Sequence, residues 1–165
     1  TFFNDAIRAA LPVMERASNP VSRRVILVVS DNISSQKGSD KHLIADLLEA
    51  GIVVYGLVVR GGIGKVINVL TVGKMHGLDD YTAATGGELI GAKKKEIDDR
   101  LEKVIGHLRA RYSMGFKPPE HTVDGELHRI KLTIPAAILK QKGKFAVRTR
   151  TGYYLRRLNR KVNLN

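Results

Sequence analysis

Two unbroken apolar runs dominate the first third of the chain. Val25 to Val29 is five consecutive apolar residues, and Ile52 to Val59 is interrupted only by Gly56. Runs of this length predict strands buried on both faces. Between them, Ser39 is the expected N-cap of a helix with Leu43, Ile44, Leu47 and Leu48 on one face, ended by Gly51. Ahead of the first strand, Phe3, Ile7, Ala10, Leu11 and Met14 recur at helical spacing. Pro12 is expected to bend or divide that helix, and Asn19-Pro20 to close it. Helix, strand, helix, strand is the order of a parallel α/β sheet.

The stretch from Arg60 to Gly77 is punctuated by glycine and predicts no element. "LDDYTAATGGELI" then reads as a short helix, a Gly-Gly stop and a third short strand at Glu88–Ile90. A long amphipathic helix follows, with Ile97, Leu101, Val104, Ile105 and Leu108 on one face. Glu96–Arg100 and Asp99–Lys103 are i,i+4 ion pairs on its wet side. After Ala110 the period changes to two. "RYSMGFK" aligns Tyr112, Met114 and Phe116, "LHRIKLTI" aligns Ile130, Leu132 and Ile134, and "FAVRTRTGYY" alternates Val147, Thr149, Thr151 and Tyr153 with Arg148 and Arg150. These are three expected half-buried antiparallel strands. The expected organisation is therefore a partial doubly wound, Rossmann-like α/β unit over residues 1–110 with three parallel strands and flanking helices. A small antiparallel β extension over 111–155 and a basic tail over 156–165 complete it.

Charge changes this picture for the second half. Residues 1–90 hold nine Lys/Arg and nine Asp/Glu, whereas residues 91–165 hold nineteen and seven, which is the whole formal charge of +12. Lys140, Lys142, Lys144, Arg148, Arg150, Arg156, Arg157, Arg160 and Lys161 form a run without an acid. They are the candidate surface for a nucleic acid or another polyanion. No apolar run reaches the length of a membrane span. The absence of cysteine excludes disulfides, thiolate metal sites and a cysteine nucleophile. The chain opens mid-pattern and without methionine, and is expected to be a piece of a longer protein.

Two local patterns resemble chemistry they do not complete. "RGGIGK" at Arg60–Lys65 lacks the glycine spacing and the following Ser/Thr of a phosphate loop. The histidines, His42, His76, His107, His121 and His128, show no metal-ligand spacing. No arrangement points to a nucleophile or a carboxylate pair, and a non-enzymatic role is expected. The one placed carboxylate is Asp31, just past the end of the first strand, where open α/β sheets hold their ligands.

"TFFNDAIRAAL", "RRVILVVSDN", the capped helix, "AGIVVYGLVV" and "YTAATGGELI" together resemble the second half of a von Willebrand factor A domain. "LRARYSMGFKPP", "DGELHRIKLTI" and "VRTRTGYY" are similar to the C-terminal extension of bacterial proteins related to it. The resemblance covers nearly the whole chain and is poorest over Arg60–Gly77. It implies a metal-ion-dependent adhesion site in which three loops hold a divalent cation, usually magnesium. The loops carry Asp-x-Ser-x-Ser, a Thr and an Asp. Thr1 matches the Thr and Asp31 the last Asp. "DNISS" does not supply the first loop, because the position two residues after Asp31 is Ile33, and that loop is expected upstream of Thr1. Asn32 stands where the family commonly has Gly.

The resemblance further implies a protein-interaction or adhesion module, exported or in the cell envelope. Its ion would accept an acidic side chain from a protein partner. This chain by itself is expected to hold no ion tightly. In its sheet the strand Arg24–Val29 is expected at an edge, open to self-association. The alternative is the basic polyanion-binding protein.

Overall fold

The structure, a computed structural model, describes residues 2–16, 22–31, 38–60, 77–119, 125–138 and 147–155. In chain order these give α1 (Phe3–Arg16), β1 (Arg24–Ser30), α2 (Lys41–Glu49), β2 (Ile52–Arg60), α3 (Leu78–Thr85), β3 (Leu89–Lys93), a short 3₁₀ turn (Lys94–Glu96), α4 (Ile97–Arg109), β4 (His128–Arg129) and β5 (Gly152–Tyr153). The first three strands form a parallel sheet in the order β1-β2-β3, and β4 and β5 form a separate antiparallel pair. The α/β class, the three parallel strands and the small antiparallel sheet agree with the sequence, and the arrangement is compatible with a Rossmann-like fold.

The unbroken apolar runs have a direct cause: the sheet is covered on both faces. Ile26, Val28, Ile52, Val54 and Leu89 point to one side, where Phe3 and Ile7 of α1, Leu43 and Leu47 of α2, and Leu78 and Tyr81 of α3 close over them. Val25, Leu27, Tyr55, Leu57, Ile90 and Ala92 point to the other, under Val104, Ile97 and Leu108 of α4. The central strand β2 is buried along most of its length, while β1, at the edge, is only half-buried. At 25 cal/mol per Å² of apolar surface, each buried side chain of this kind stabilises the fold by about 1.5–3 kcal/mol.

Two glycines let the layers approach. A Cβ on Gly56 would lie 2.3 Å from Leu89 Cδ1 and 3.0 Å from Leu78 Cδ2. A Cβ on Gly87 would lie 1.8 Å from the Val54 carbonyl oxygen, which is backbone and cannot move aside. Gly86, in the left-handed conformation at φ 76°, ends α3 and turns the chain into β3.

Several expectations need correcting. α1 is not divided at Pro12. One backbone bond is missing there, but Phe3 and Ile7 on one side of the proline and Leu11 and Met14 near it all pack on the same core, which holds the helix in one piece. The cap of α2 is Asp40, not Ser39. β3 runs from Leu89 to Lys93 rather than over Glu88–Ile90, because it follows β2 residue by residue from Gly56 to Arg60. The extension is the largest difference. Residues 111–119 form no strand, and among the described residues the ladder consists of His128↔Tyr153 and Arg129↔Gly152. Tyr112, Met114 and Phe116 alternate as expected, yet all three are exposed. Phe116 meets the Tyr153 ring at 5.2 Å, but one ring contact on a largely exposed segment does not form a ladder. The i,i+4 pair Glu96–Arg100 is present at 3.6 Å. No helix among the described residues is long and apolar enough to cross a membrane.

Gly87→Ala should destabilise the protein by about 3 kcal/mol or more, since the added methyl meets backbone. Gly91→Ala, where a Cβ meets nothing within 4 Å, should stay within about 0.5 kcal/mol of the parent. Urea melts of the two variants check the contrast. Equal stability would mean that α3 and β3 do not close on β2 as described.

Candidate functional site

Asp31 follows the last residue of β1 directly, at the carboxyl edge of the parallel sheet, and is exposed. Ser30 Oγ donates to Asp31 Oδ1 at 3.3 Å. The amino ends of α1, α2 and α3 gather at the same edge, and a polar network joins them. Asp40 Oδ1 accepts from the backbone N–H of His42 at 2.9 Å and of Leu43 at 3.3 Å, as a helix cap does. Its Oδ2 takes an ion pair from Arg8 of α1. The Asp40 N–H donates to the Tyr81 hydroxyl at 2.8 Å, and that hydroxyl donates to Asn4 Oδ1 at 2.8 Å. Ser39, displaced from capping, donates its hydroxyl to Asp80 Oδ2 at 2.7 Å. Gly77 sits so close to Gly38 that a Cβ would meet its carbonyl oxygen at 2.8 Å. Gly38 and Ser39 thus enter α2 through a clamped frame.

The electrostatics of the frame follow from these bonds. Burial pushes the Asp40 carboxyl up, but the amides of Leu43 and His42 and the Arg8 guanidinium together outweigh it. The carboxyl ends below its ordinary value of 3.8. Burial pushes the Tyr81 hydroxyl above its ordinary value of 10, so it keeps its proton and remains a donor to Asn4.

Among the described residues, no group of three or more His, Asp or Glu lies close enough to hold a metal ion. Thr1, the other residue matched to the metal loops, lies outside the described residues, as do Lys140, Lys142, Lys144, Arg156, Arg157, Arg160 and Lys161. A hard divalent ion takes about six oxygens. Asp31 contributes a single carboxylate to such a set.

Arg148 and Arg150 are described, and they lie at the opposite edge. There the extension docks on the turn between α3 and β3. Arg148 Nη2 is 3.2 Å from Glu88 Oε1, and His107 Nδ1 is 2.9 Å from Glu88 Oε2. The Thr151 N–H donates to the Ala84 carbonyl at 2.9 Å. A Cβ on Gly86 would fall 2.5 Å from the Thr149 carbonyl carbon. Arg111 donates to the Gly86 carbonyl at 2.8 Å and lies over the Tyr55 ring. An open cavity of about 310 Å³ runs along this seam between Thr82, Glu88 and Arg148. The structure therefore separates Asp31 from the two described cations.

Sequence reasoning missed Arg8, Asn4 and Tyr81, which are far apart in the chain and meet only through the packing of α1 on α2 and α3. It also missed Asp40, having taken Ser39, one residue earlier, as the cap. Asp40 directly precedes the first helical residue and accepts from the His42 and Leu43 amides, while Ser39 bonds to Asp80.

Tyr81→Phe should cost about 1–3 kcal/mol, because it leaves the Asp40 N–H and Asn4 Oδ1 without their shared partner. Asp40 also sets a pH dependence. Its carboxyl is depressed in the folded state, so its contribution is present above the unfolded value of about 4 and is lost as pH falls through the lower folded value. Asp40→Asn should flatten the acid limb of a stability–pH profile measured by denaturant melts. A variant profile parallel to the parent's would mean that Asp40 is not the titrating cap.

No protein-family model matches the chain and no curated protein matches it, so the functional reading rests on the fold and these side chains.

Proposed function

We propose that the chain is a non-enzymatic interaction module, of the von Willebrand factor A type with a β extension, that takes a protein partner at the carboxyl edge of its parallel sheet. The observation that carries the reading is Asp31. It is an exposed carboxylate one residue past a strand, beside a frame in which Asp40, Arg8, Tyr81 and Asn4 hold each other. Open α/β sheets bind ligands at this edge. In this reading Asp31, with Thr1, supplies part of the oxygen set of a divalent ion. An Asp-x-Ser-x-Ser loop from outside residues 1–165 supplies the rest. When bound, such an ion offers a positive site for an acidic side chain of the partner. Asp31's own part is to present a fixed anionic oxygen, and the frame's part is to keep the loops apart and in place.

The charge distribution favours a second reading, that of a polyanion-binding surface over residues 140–161. Arg148 is already paired with Glu88 and Arg150 is half-buried, so the reading depends most on the seven cations outside the described residues.

Two measurements separate these. Calorimetric titration of magnesium into the 165-residue chain should show binding no tighter than to an ordinary surface Asp. A polypeptide that also carries the Asp-x-Ser-x-Ser loop should bind magnesium, and Asp31→Ala in it should remove that binding while leaving the melting curve unchanged. Tight magnesium binding by the 165-residue chain, or by the Asp31→Ala variant, would sink the assignment of Asp31. For the second reading, heparin affinity should fall steeply as salt rises from low to physiological, and neutralising Lys140, Lys142 and Lys144 should lower that slope. A salt-independent affinity would exclude it.

A further inference from the structure

α3 is a short helix with a different partner at each end. Its eight residues make about two turns, fewer than a helix needs to be stable alone in water. No side-chain hydrogen bond caps its start at Gly77. Its first turn carries the frame instead. Asp80 accepts from Ser39, and the Tyr81 hydroxyl joins the Asp40 N–H to Asn4. Its far end carries the β extension. The Thr151 N–H donates to the Ala84 carbonyl at 2.9 Å, and the Thr151 hydroxyl donates to the same oxygen at 3.3 Å. Arg111 donates to the Gly86 carbonyl at 2.8 Å. We propose that the β extension positions the carboxyl-edge frame through α3: docking of Thr151 and Arg111 on the end of the helix holds Tyr81 against Asp40 and Asn4.

The last carbonyls of a helix lack donors within it. In α3 the Gly86 and Gly87 N–H groups satisfy Thr82, whereas Ala84 is satisfied from the extension. Thr151 is itself fixed, because its carbonyl accepts the Ile130 N–H at 3.0 Å beside the β4–β5 ladder. A paired strand end therefore holds the helix end. The span to the frame is short. Ala84 follows Tyr81 by three residues, about 4.5 Å along the axis. Thr85 stiffens that turn, since its hydroxyl donates to the Tyr81 carbonyl at 2.7 Å and accepts the Val54 N–H at 2.9 Å. Tyr81 is fully buried, and its hydroxyl meets both partners at 2.8 Å. Hydrogen bonds weaken steeply with misalignment, so this bridge tolerates little movement of the helix. The coupling is reciprocal: whatever fixes the frame also tightens the docking of the extension. Its consequence for binding rests on the reading of the carboxyl edge as the ligand edge. The coupling itself does not.

Amide hydrogen exchange of the 165-residue chain, without metal or partner, tests this. The Asp40 N–H reports the frame, and the Leu57 N–H, in the doubly paired strand β2, reports global opening. Thr151→Pro removes the donor to Ala84 and should speed exchange at Asp40 about tenfold relative to Leu57. Thr151→Val keeps that N–H and should leave Asp40 close to the parent. Unchanged Asp40 exchange in Thr151→Pro overturns the proposal. So does an equal rise at Asp40 and Leu57, which would mean general destabilisation. If Thr151→Pro does not fold, Arg111→Met decides alone. It removes the donor to Gly86 and should speed Asp40 several-fold relative to Leu57, and no such rise overturns the proposal. Magnesium plays no part in these measurements, so the coupling and the assignment of Asp31 stand or fall separately.

Discussion

The rest of the structure depends on burying both faces of β2. Its side chains alternate between the layer formed by α1, α2 and α3 and the layer formed by α4, and both flanking strands take their register from it. A parallel strand in this position has no wet face, so it must be apolar throughout. The close contacts around it are met by removing side chains. Gly56 admits Leu89 and Leu78, and Gly87 lies against the Val54 carbonyl. A further bond enters from outside the ladder, where Thr85 Oγ1 accepts the Val54 N–H at 2.9 Å. α3 is thereby bonded to the strand it covers as well as packed on it.

The two edges of this sheet have different work. At the carboxyl edge the polar side chains hold helix ends to one another. Asp40 neutralises the start of α2, and Tyr81, although buried, satisfies its hydroxyl with one donor and one acceptor. A ligand loop needs such a fixed surround, because an ion or a partner side chain selects positions to within a fraction of an ångström. At the amino edge the side chains attach the extension. Glu88 takes Arg148 and His107, and the backbone of Thr149 and Arg150 fits where Gly86 has no Cβ. Some of the positive charge of the second half is therefore structural rather than offered to a partner.

The legible part of this fold was the part set by short-range rules. Continuous apolar runs gave two of the three parallel strands, helical spacing gave α1, α2 and α4, and the Gly-Gly stop marked the end of α3 and the approach to the third strand. The extension was overread. The period-two pattern from Tyr112 to Phe116 is real, and the Phe116 ring meets Tyr153 of β5 edge-on at 5.2 Å, but among the described residues no backbone pairing joins the segment to a strand. Ser39 was read as the cap of α2, but Asp40 directly precedes the helix and caps it, and Ser39 bonds to Asp80 instead.

By itself the sequence determined the α/β class, the burial of β2 on both faces, the position of Asp31 past a strand end and the concentration of charge after residue 90. These follow from periodicity, composition and order along the chain. Only the tertiary structure decided that Arg8, Asn4 and Tyr81 join Asp40. It also decided that the extension docks through Gly86, Glu88 and Thr151 at the edge away from Asp31. Those outcomes depend on which helices share a face and which strand lies outermost. Residues 32 to 77 positions apart in the chain meet there, and no local pattern encodes such distances.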